Sequence, residues 1–235
     1  MAQFQLKIKL PGISGAGHFF RRMFAELTDE FPMPNVLFWR NKDGSTISRV
    51  PEIRWIGGKD GPTLIATEAH IDALTDAMTN LTKASLKAVG KGCLDVRNAP
   101  MDLTVEDTIC SYVVPSMVLH GSYAVREKFM AANEMNRRQI VKEAFVKTLR
   151  QECEVWGVDD SPLNECENQI FIQQVNVLST APVGNISPKV GRGLPRVRVQ
   201  VLMPIKLTGR WQVGRLKSKG HGVLNRDTGQ AAGKR

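Results

Sequence analysis

The hydrophobic pattern switches from period two to helical spacing and back within the N-terminal part of the chain, and this switch limits the fold more than any other feature. Gln3 to Leu10 alternates polar and apolar, as a strand with one buried and one wet face does. Pro11 to Gly17 cannot continue that strand and reads as a glycine-rich loop. His18 to Leu27 then sets Phe19, Phe20, Met23, Phe24 and Leu27 at helical spacings, with Phe19, Met23 and Phe24 expected to face a core. Val36 to Arg40 and Ser45 to Val50 flank Asn41-Lys42-Asp43-Gly44, and Asp-Gly tolerates the positive φ of tight turns, so a β-hairpin is expected there. Ile53 to Ile56 and Thr63 to Ala66 form a further strand pair, and a helix from about Ile71 to Val89 closes a unit of strand, helix, strands and helix.

The middle of the chain changes character. Arg126 to Trp156 contains neither Gly nor Pro and is rich in strong helix formers, which makes it the longest helical region, read either as two helices or as one packed insertion. Its basic residues Arg137, Arg138, Lys142, Lys147 and Arg150 do not separate from Ile140, Phe145 and Leu149 on a helical projection. Gly157 to Asn168 reads as a polar loop, Ile170 to Leu178 as a strand, and Ala181 to Pro195 as a Pro/Gly-rich connection. Arg196 to Leu202 alternates strictly, with Arg196, Arg198 and Gln200 on one face and three apolar residues on the other.

At 235 residues and 42% hydrophobic, the chain can bury one large core or two small ones. No apolar stretch approaches the roughly 20 residues of a membrane-spanning helix, and the first residues lack a signal peptide's charged start and apolar run. A cytoplasmic protein with no membrane partner is expected. Cys93, Cys110, Cys153 and Cys166 form no Cys-x-x-Cys pair and have no histidine at ligand spacing, so reduced, mostly buried thiols are expected rather than a zinc site or disulfides. Asp159-Asp160 beside Ser161-Pro162 reads as a turn and not as a metal site.

Charge is segregated along the chain. Asn185 to Arg235 holds twelve Lys or Arg against one acidic residue, Asp227, a net charge of +11, whereas the first 184 residues come to −2. A positive field this local attracts polyphosphate through Coulomb steering and counterion release, and nucleic acid is the commonest partner of that charge density. Within it lies Gly214-Arg215-Leu216-Lys217-Ser218-Lys219-Gly220-His221-Gly222. Glycines let backbone approach a bulky anion and offer amides to it, but the order of residues is neither a P-loop nor a dinucleotide fingerprint. What remains is a basic loop suited to a polynucleotide strand.

His18, Arg21 and Arg22 share the start of the first helix at spacings of three and four. An imidazole beside guanidinium groups suits phosphodiester cleavage, the histidine moving a proton and the arginines stabilising charge on the phosphoryl oxygens. Arg40 and Arg210 are further candidates because arginine stays charged and contacts phosphate in two places. Trp39 and Trp211, adjacent to them, would stack on a base or serve as packing. His70 and His120 are read as structural, and His221 as a phosphate contact in the glycine loop.

A strand, a glycine loop and a His/Arg-bearing helix near the start, with Gly214 to Gly222 near the end, resemble the repeat-associated RNA-binding superfamily of CRISPR systems. Within it the chain resembles the endoribonuclease that processes precursor CRISPR RNA, most closely its type IV form. The resemblance implies an α+β fold of two ferredoxin-like βαββαβ domains in tandem, at about 1–110 and 111–235, with a helical insertion at about 124–157. It implies metal-independent cleavage without a cofactor, in which a 2′-hydroxyl attacks the neighbouring phosphate and leaves a 2′,3′-cyclic phosphate and a 5′-hydroxyl. Partners would be a CRISPR repeat RNA hairpin and other subunits of a CRISPR ribonucleoprotein complex. The catalytic candidates are His18, Arg22, Arg40 and Arg210, with histidine and arginine chemistry both open. The RNA-binding candidates are Arg21, Arg137, Arg138, Lys142, Arg196, Arg198, Gly214, Arg215, Lys217, Ser218, Lys219, Gly220 and His221. Two alternatives are a noncatalytic subunit that caps the 5′ end of the guide RNA and an unrelated basic RNA-associated protein. The sequence also lacks the aromatic strand motif of an RNA-recognition domain proper.

Overall fold

The N-terminal alternation builds the first sheet. β1 (Ala2–Lys9) buries Phe4, Leu6 and Ile8. It pairs antiparallel with β3 (Thr63–Ala66) on one side and with β4 (Cys93–Pro100) on the other, and β2 (Ile53–Ile56) completes the order β2-β3-β1-β4. Two crossover helices, α1 (Gly17–Glu26) and α2 (Ile71–Val89), make the plan βαββαβ. α2 buries Leu74, Ala77, Leu81 and Ala84 at alternating spacings of three and four, and Gly90 ends it in a left-handed conformation with its N–H donated to Leu86 O at 2.7 Å. Trp55 of β2 lies at the centre of the core, its ring 5.2 Å from that of Phe24 and 5.8 Å from that of Phe38. Its indole N–H is donated to Leu37 O at 2.7 Å, so the buried donor is satisfied.

This computed structural model describes residues 2–45, 47–119, 123–181 and 194–227. Thr46, His120 and most of the Ala181–Pro195 connection lie outside the described residues. The chain divides into two compact units, the first comprising Met1–Met101, Val155–Gly157 and Leu216–His221, the second Asp102–Glu154, Val158–Arg215 and Gly222–Arg235. The division expected at 110/111 falls inside β5 (Asp102–Val118), which opens the second unit.

The second sheet has the order β6-β7-β5-β8, the same strand order as the first, with all its pairs antiparallel. β6 is Phe171–Ala181, β7 is Leu194–Thr208 and β8 is Asn225–Arg226. Two four-stranded antiparallel sheets with crossover helices are the tandem ferredoxin-like arrangement. The second copy departs from a strict βαββαβ plan, since the described chain after β7 runs through irregular structure and one 3-10 turn (Lys217–Lys219) before β8. Gly209, Gly214, Gly220 and Gly222 all adopt positive φ there, which excludes a continuous helix.

The long helical region is two helices, α3 (Tyr123–Ala131) and α4 (Glu134–Trp156). Asn133 separates them, its side-chain oxygen accepting the Asn136 N–H at 2.9 Å as a helix cap. α4 buries Val141, Phe145, Leu149 and Cys153 at four-residue spacing, an apolar stripe that the projection of its basic residues does not reveal. The segment read as a polar loop contains α5 (Ser161–Cys166), tied to α4 by Arg150, which donates to Asn164 Oδ1 at 2.9 Å and Glu167 Oε2 at 2.5 Å. Asp159 Oδ1 accepts from both N and Oγ of Ser161, the turn expected at that point.

Two further expectations are corrected. The turn at Asp43-Gly44 forms, with Gly44 at φ 82° and the Asn41 N–H donated to Ser45 O at 2.9 Å, but among the described residues it joins no strands. Leu37, Phe38 and Trp39 are consecutively buried, which no half-buried strand allows, and Asn35–Phe38 winds as a 3-10 helix. In α1 the core face is set by Phe20 and Phe24, while Phe19 is 46% exposed and packs edge-on against Phe20. All four cysteines are free and only Cys93 is exposed. Among the described residues no helix is long and apolar enough to cross a membrane.

Candidate nucleic-acid interface

Two glycines in the first unit create the site. Gly17 opens α1, and a Cβ built on it would lie 1.8 Å from Trp55 O and 3.0 Å from Gly220 Cα. A Cβ on Gly220, whose φ is 81°, would lie 2.4 Å from Trp55 O and 2.9 Å from Gly17 Cα. Only glycine at both positions lets the helix start, strand β2 and the C-terminal loop touch through their backbones. The next residue in each case is a histidine, so the apposition sets His18 beside His221, ring centroids 5.9 Å apart and planes within 4° of parallel. His18 is exposed and His221 partly so.

One helical turn on, Arg21 is half-buried and donates Nη2 to Phe38 O. Its Nε is buried without a partner. Burial, and then the charge of Arg40, holds its guanidinium below the ordinary arginine range. Lys219 on the loop is likewise lowered, first by burial and then by the charge of Arg21. Arg40 itself is exposed and follows Trp39, which adopts a left-handed backbone at φ 52° while its indole is buried and donates to Arg49 O at 3.3 Å. Arg40 and Lys219 therefore each stand close enough to Arg21 for the charges to repel, and among the described residues no carboxylate pairs with any of the three.

The other expected residues have other placements. Arg22 points outward into an ion pair with Glu26 at 2.7 Å. Lys217 is 3% exposed, so its amine is not open to a solvent-borne strand, and Ser218 beside it is partly exposed. Arg215 is exposed, its backbone N–H donated to Val118 O at 2.9 Å. Gly214 and Gly222 are held at positive φ against Val118 O and Val213 O, which fixes the two ends of the loop within the second unit. Arg210 also belongs to the second unit and is surface-exposed, although partial burial of its charge lowers its pKa. Trp39 and Trp211 are both buried, Trp211 donating to Thr208 O at 2.7 Å, so neither offers a face for base stacking.

On the polar face of β7, Arg198 is exposed opposite Asn176, and Arg196 is half-buried with an unpartnered Nε. Arg137 is spent inside the fold, donating to Phe129 O at 3.1 Å and Met130 O at 2.9 Å with its guanidinium 5.6 Å over the Phe129 ring. Arg138 pairs with Glu134, and Lys142 is half-exposed. His70 lies 3.2 Å from Glu52, the structural placement expected of it. Among the described residues no group of three or more His, Cys, Asp or Glu side chains could hold a metal ion. Sequence reasoning singled out both His18 and His221 without linking them; the identical Gly-His dipeptides Gly17-His18 and Gly220-His221 are the signal that could have done so.

Two tandem ferredoxin-like sheets are the fold that this chain shares with CRISPR proteins of the Cas6 class. A solved structure titled "Csf5, CRISPR-Cas type IV Cas6 crRNA endonuclease" superposes at TM-score 0.73 with 17% identity, over 97% of this chain and 100% of that one. The crystal structure of Cas6b superposes at TM-score 0.65 with 13% identity, over 97% and 100%. No curated protein matches. The family described as "Type IV CRISPR-associated endonuclease Csf5" matches residues 1–229, and the chain belongs to that family.

Proposed function

We propose that the protein cleaves CRISPR repeat RNA without a metal, by attack of the 2′-hydroxyl on the adjacent phosphorus. The P–O5′ bond breaks, leaving a 2′,3′-cyclic phosphate on one fragment and a 5′-hydroxyl on the other. The observation that carries this reading is the cluster of Arg21, Arg40 and Lys219, cations without carboxylate partners beside a histidine pair of which His18 is exposed and His221 partly so. Cations that raise one another's energy are relieved by an anion, and more so by the dianionic phosphorane than by the ground-state diester, which is the differential binding that catalysis needs. Glycine at 17 and 220 lets α1, β2 and the loop meet backbone to backbone, which sets the histidine pair next to this cluster. Arg198 and Arg215 are exposed in the second unit and would contact phosphates of the RNA flanking the cut. Such contacts would keep the product hairpin bound and ready for other subunits of a ribonucleoprotein complex.

The test is labelled repeat RNA incubated with the purified protein in EDTA. The expected result is a single cut below the hairpin, with a cyclic phosphate that resists phosphatase until opened by acid, and with the hairpin fragment still bound. Binding without cutting would replace this reading with a guide-capping role.

A further inference from the structure

We propose that His221 of the glycine loop is a catalytic residue, paired with His18 so that one imidazole takes the proton from the attacking 2′-hydroxyl and the other gives a proton to the departing 5′-oxygen. This deepens the proposed cleavage reaction and rests on it. In-line displacement needs a proton removed on one side of phosphorus and supplied on the other, and imidazole serves both tasks near neutral pH. Two parallel rings with centroids 5.9 Å apart span one phosphodiester, so that a nitrogen of each ring approaches one of its two apical oxygens at ordinary hydrogen-bond reach, about 2.6–3.2 Å.

The pair is built into the backbone. Each histidine follows a glycine whose Cβ would collide with Trp55 O and with the other glycine, so both Cα positions are fixed by the same three-way contact. A phosphate-contacting histidine alone would not need its ring parallel to a second one. The charged groups on the elements that meet here are Arg21, Arg22 and Glu26 on α1, Arg54 on β2, and Lys217 and Lys219 on the loop, with Arg40 beside Arg21. The Arg22 charge is matched by Glu26, and the Arg21, Arg40 and Lys219 charges are left to hold the phosphate while the imidazoles move protons. The step balances: the 2′-oxygen loses a proton and bonds to phosphorus, the 5′-oxygen leaves with the P–O bond pair and gains a proton, and no oxidant, reductant or co-reactant is consumed.

The experiment measures single-turnover cleavage at saturating full-length protein from pH 5 to 9, for the parent, His18→Ala, His221→Ala and His221→Gln. Two substrates are used, the repeat RNA and the same RNA with sulfur in place of the bridging 5′-oxygen, a leaving group that departs without a proton. Each alanine variant is expected to cleave ~10²-fold or more slowly with RNA affinity within about threefold of the parent. The parent should show a bell-shaped profile; loss of the base removes its acidic limb and loss of the acid its alkaline limb. Sulfur is expected to restore one alanine variant and not the other, and the restored variant identifies the acid. His221→Gln, which keeps hydrogen-bonding capacity but cannot move a proton, should be as slow as His221→Ala. A His221→Ala or His221→Gln rate near the parent's, or rescue of both variants or neither, would overturn the pair while leaving the cleavage reaction in place. A parent that binds the RNA and never cuts it would overturn the cleavage reading as well.

Discussion

Lys219 carries a charge that weakens the protein and that the proposed RNA phosphate would relieve. Its ammonium is disfavoured in the folded state by burial and by Arg21, so its folded pKa lies below its unfolded one. Below the folded pKa the chain carries that penalty in full; as pH rises from the folded towards the unfolded pKa, the folded state sheds the charge first and stability is regained. Lys219→Ala is therefore expected to melt no lower than the parent near neutral pH in the absence of RNA, and to regain less stability on the alkaline side. It should also bind RNA more weakly, with the slope of log K against log[salt] shallower by about 0.7 for one lost phosphate contact on a single strand. Thermal melts and salt titrations of both proteins check the two halves. A lower melting temperature with an unchanged salt slope would make Lys219 a packing residue. Its buried neighbour Lys217 is the opposite case, because a run of alternating Lys and Ser does not say which amine turns inward.

Among the elements, α3 and α4 separate charges that look equivalent in sequence. Arg137 caps two carbonyls at the end of α3 and covers Phe129, whereas Lys142 is half-exposed. Arg137→Ala is expected to lower stability by about 1–2 kcal/mol in denaturant melts, since hydrogen bonds from a charged donor are lost. Lys142→Ala should leave stability within about 0.5 kcal/mol and reduce the preference for hairpin over unstructured RNA. Equal behaviour of the two variants would show the helix pair to be only a charged surface. The legibility of the elements follows the same logic of environment. β1 and α2 are legible because one face of each packs on a core and the other meets water, and β2 and β3 because short, mostly apolar runs flank the turn residues Gly57 to Pro62. β4 escaped because, as an edge strand, it buries no continuous face, and β5 because register shifts after Val105 and Val114 put its alternation out of phase. α5 was within reach, since Asp160-Ser161-Pro162 is a helix-start signal with proline in the first turn. The Asp43-Gly44 turn is legible and its flanks are not, because a turn motif specifies local backbone and leaves the burial of Leu37 to Trp39 undetermined.

For the whole molecule, the consequential fact is that Leu216–His221 belongs to the first compact unit although the chain on both sides of it belongs to the second. Periodicity does not reveal the histidine pair for this reason: it reports neighbours within a turn or a strand, and His18 and His221 become neighbours only through a contact between glycines far apart in the chain. A fragment of residues 1–101 would contain the complete first sheet and both its helices but lack Gly220, His221 and Lys219. That fragment is expected to be inactive on repeat RNA even where circular dichroism shows it folded. Cleavage by the isolated fragment at a rate near that of the full chain would mean that the loop contributes nothing to chemistry.

The same apposition of Gly17 and Gly220 sets a clock. During synthesis the chain grows at roughly 5–20 residues per second and N-terminal units fold first. The first sheet can form early, yet His18 must wait for some two hundred further residues before His221 reaches it. A nascent chain therefore passes through a stage in which its first sheet is complete while His18 still lacks His221 beside it. The histidine pair forms only once the chain has grown past His221 and the two glycines meet.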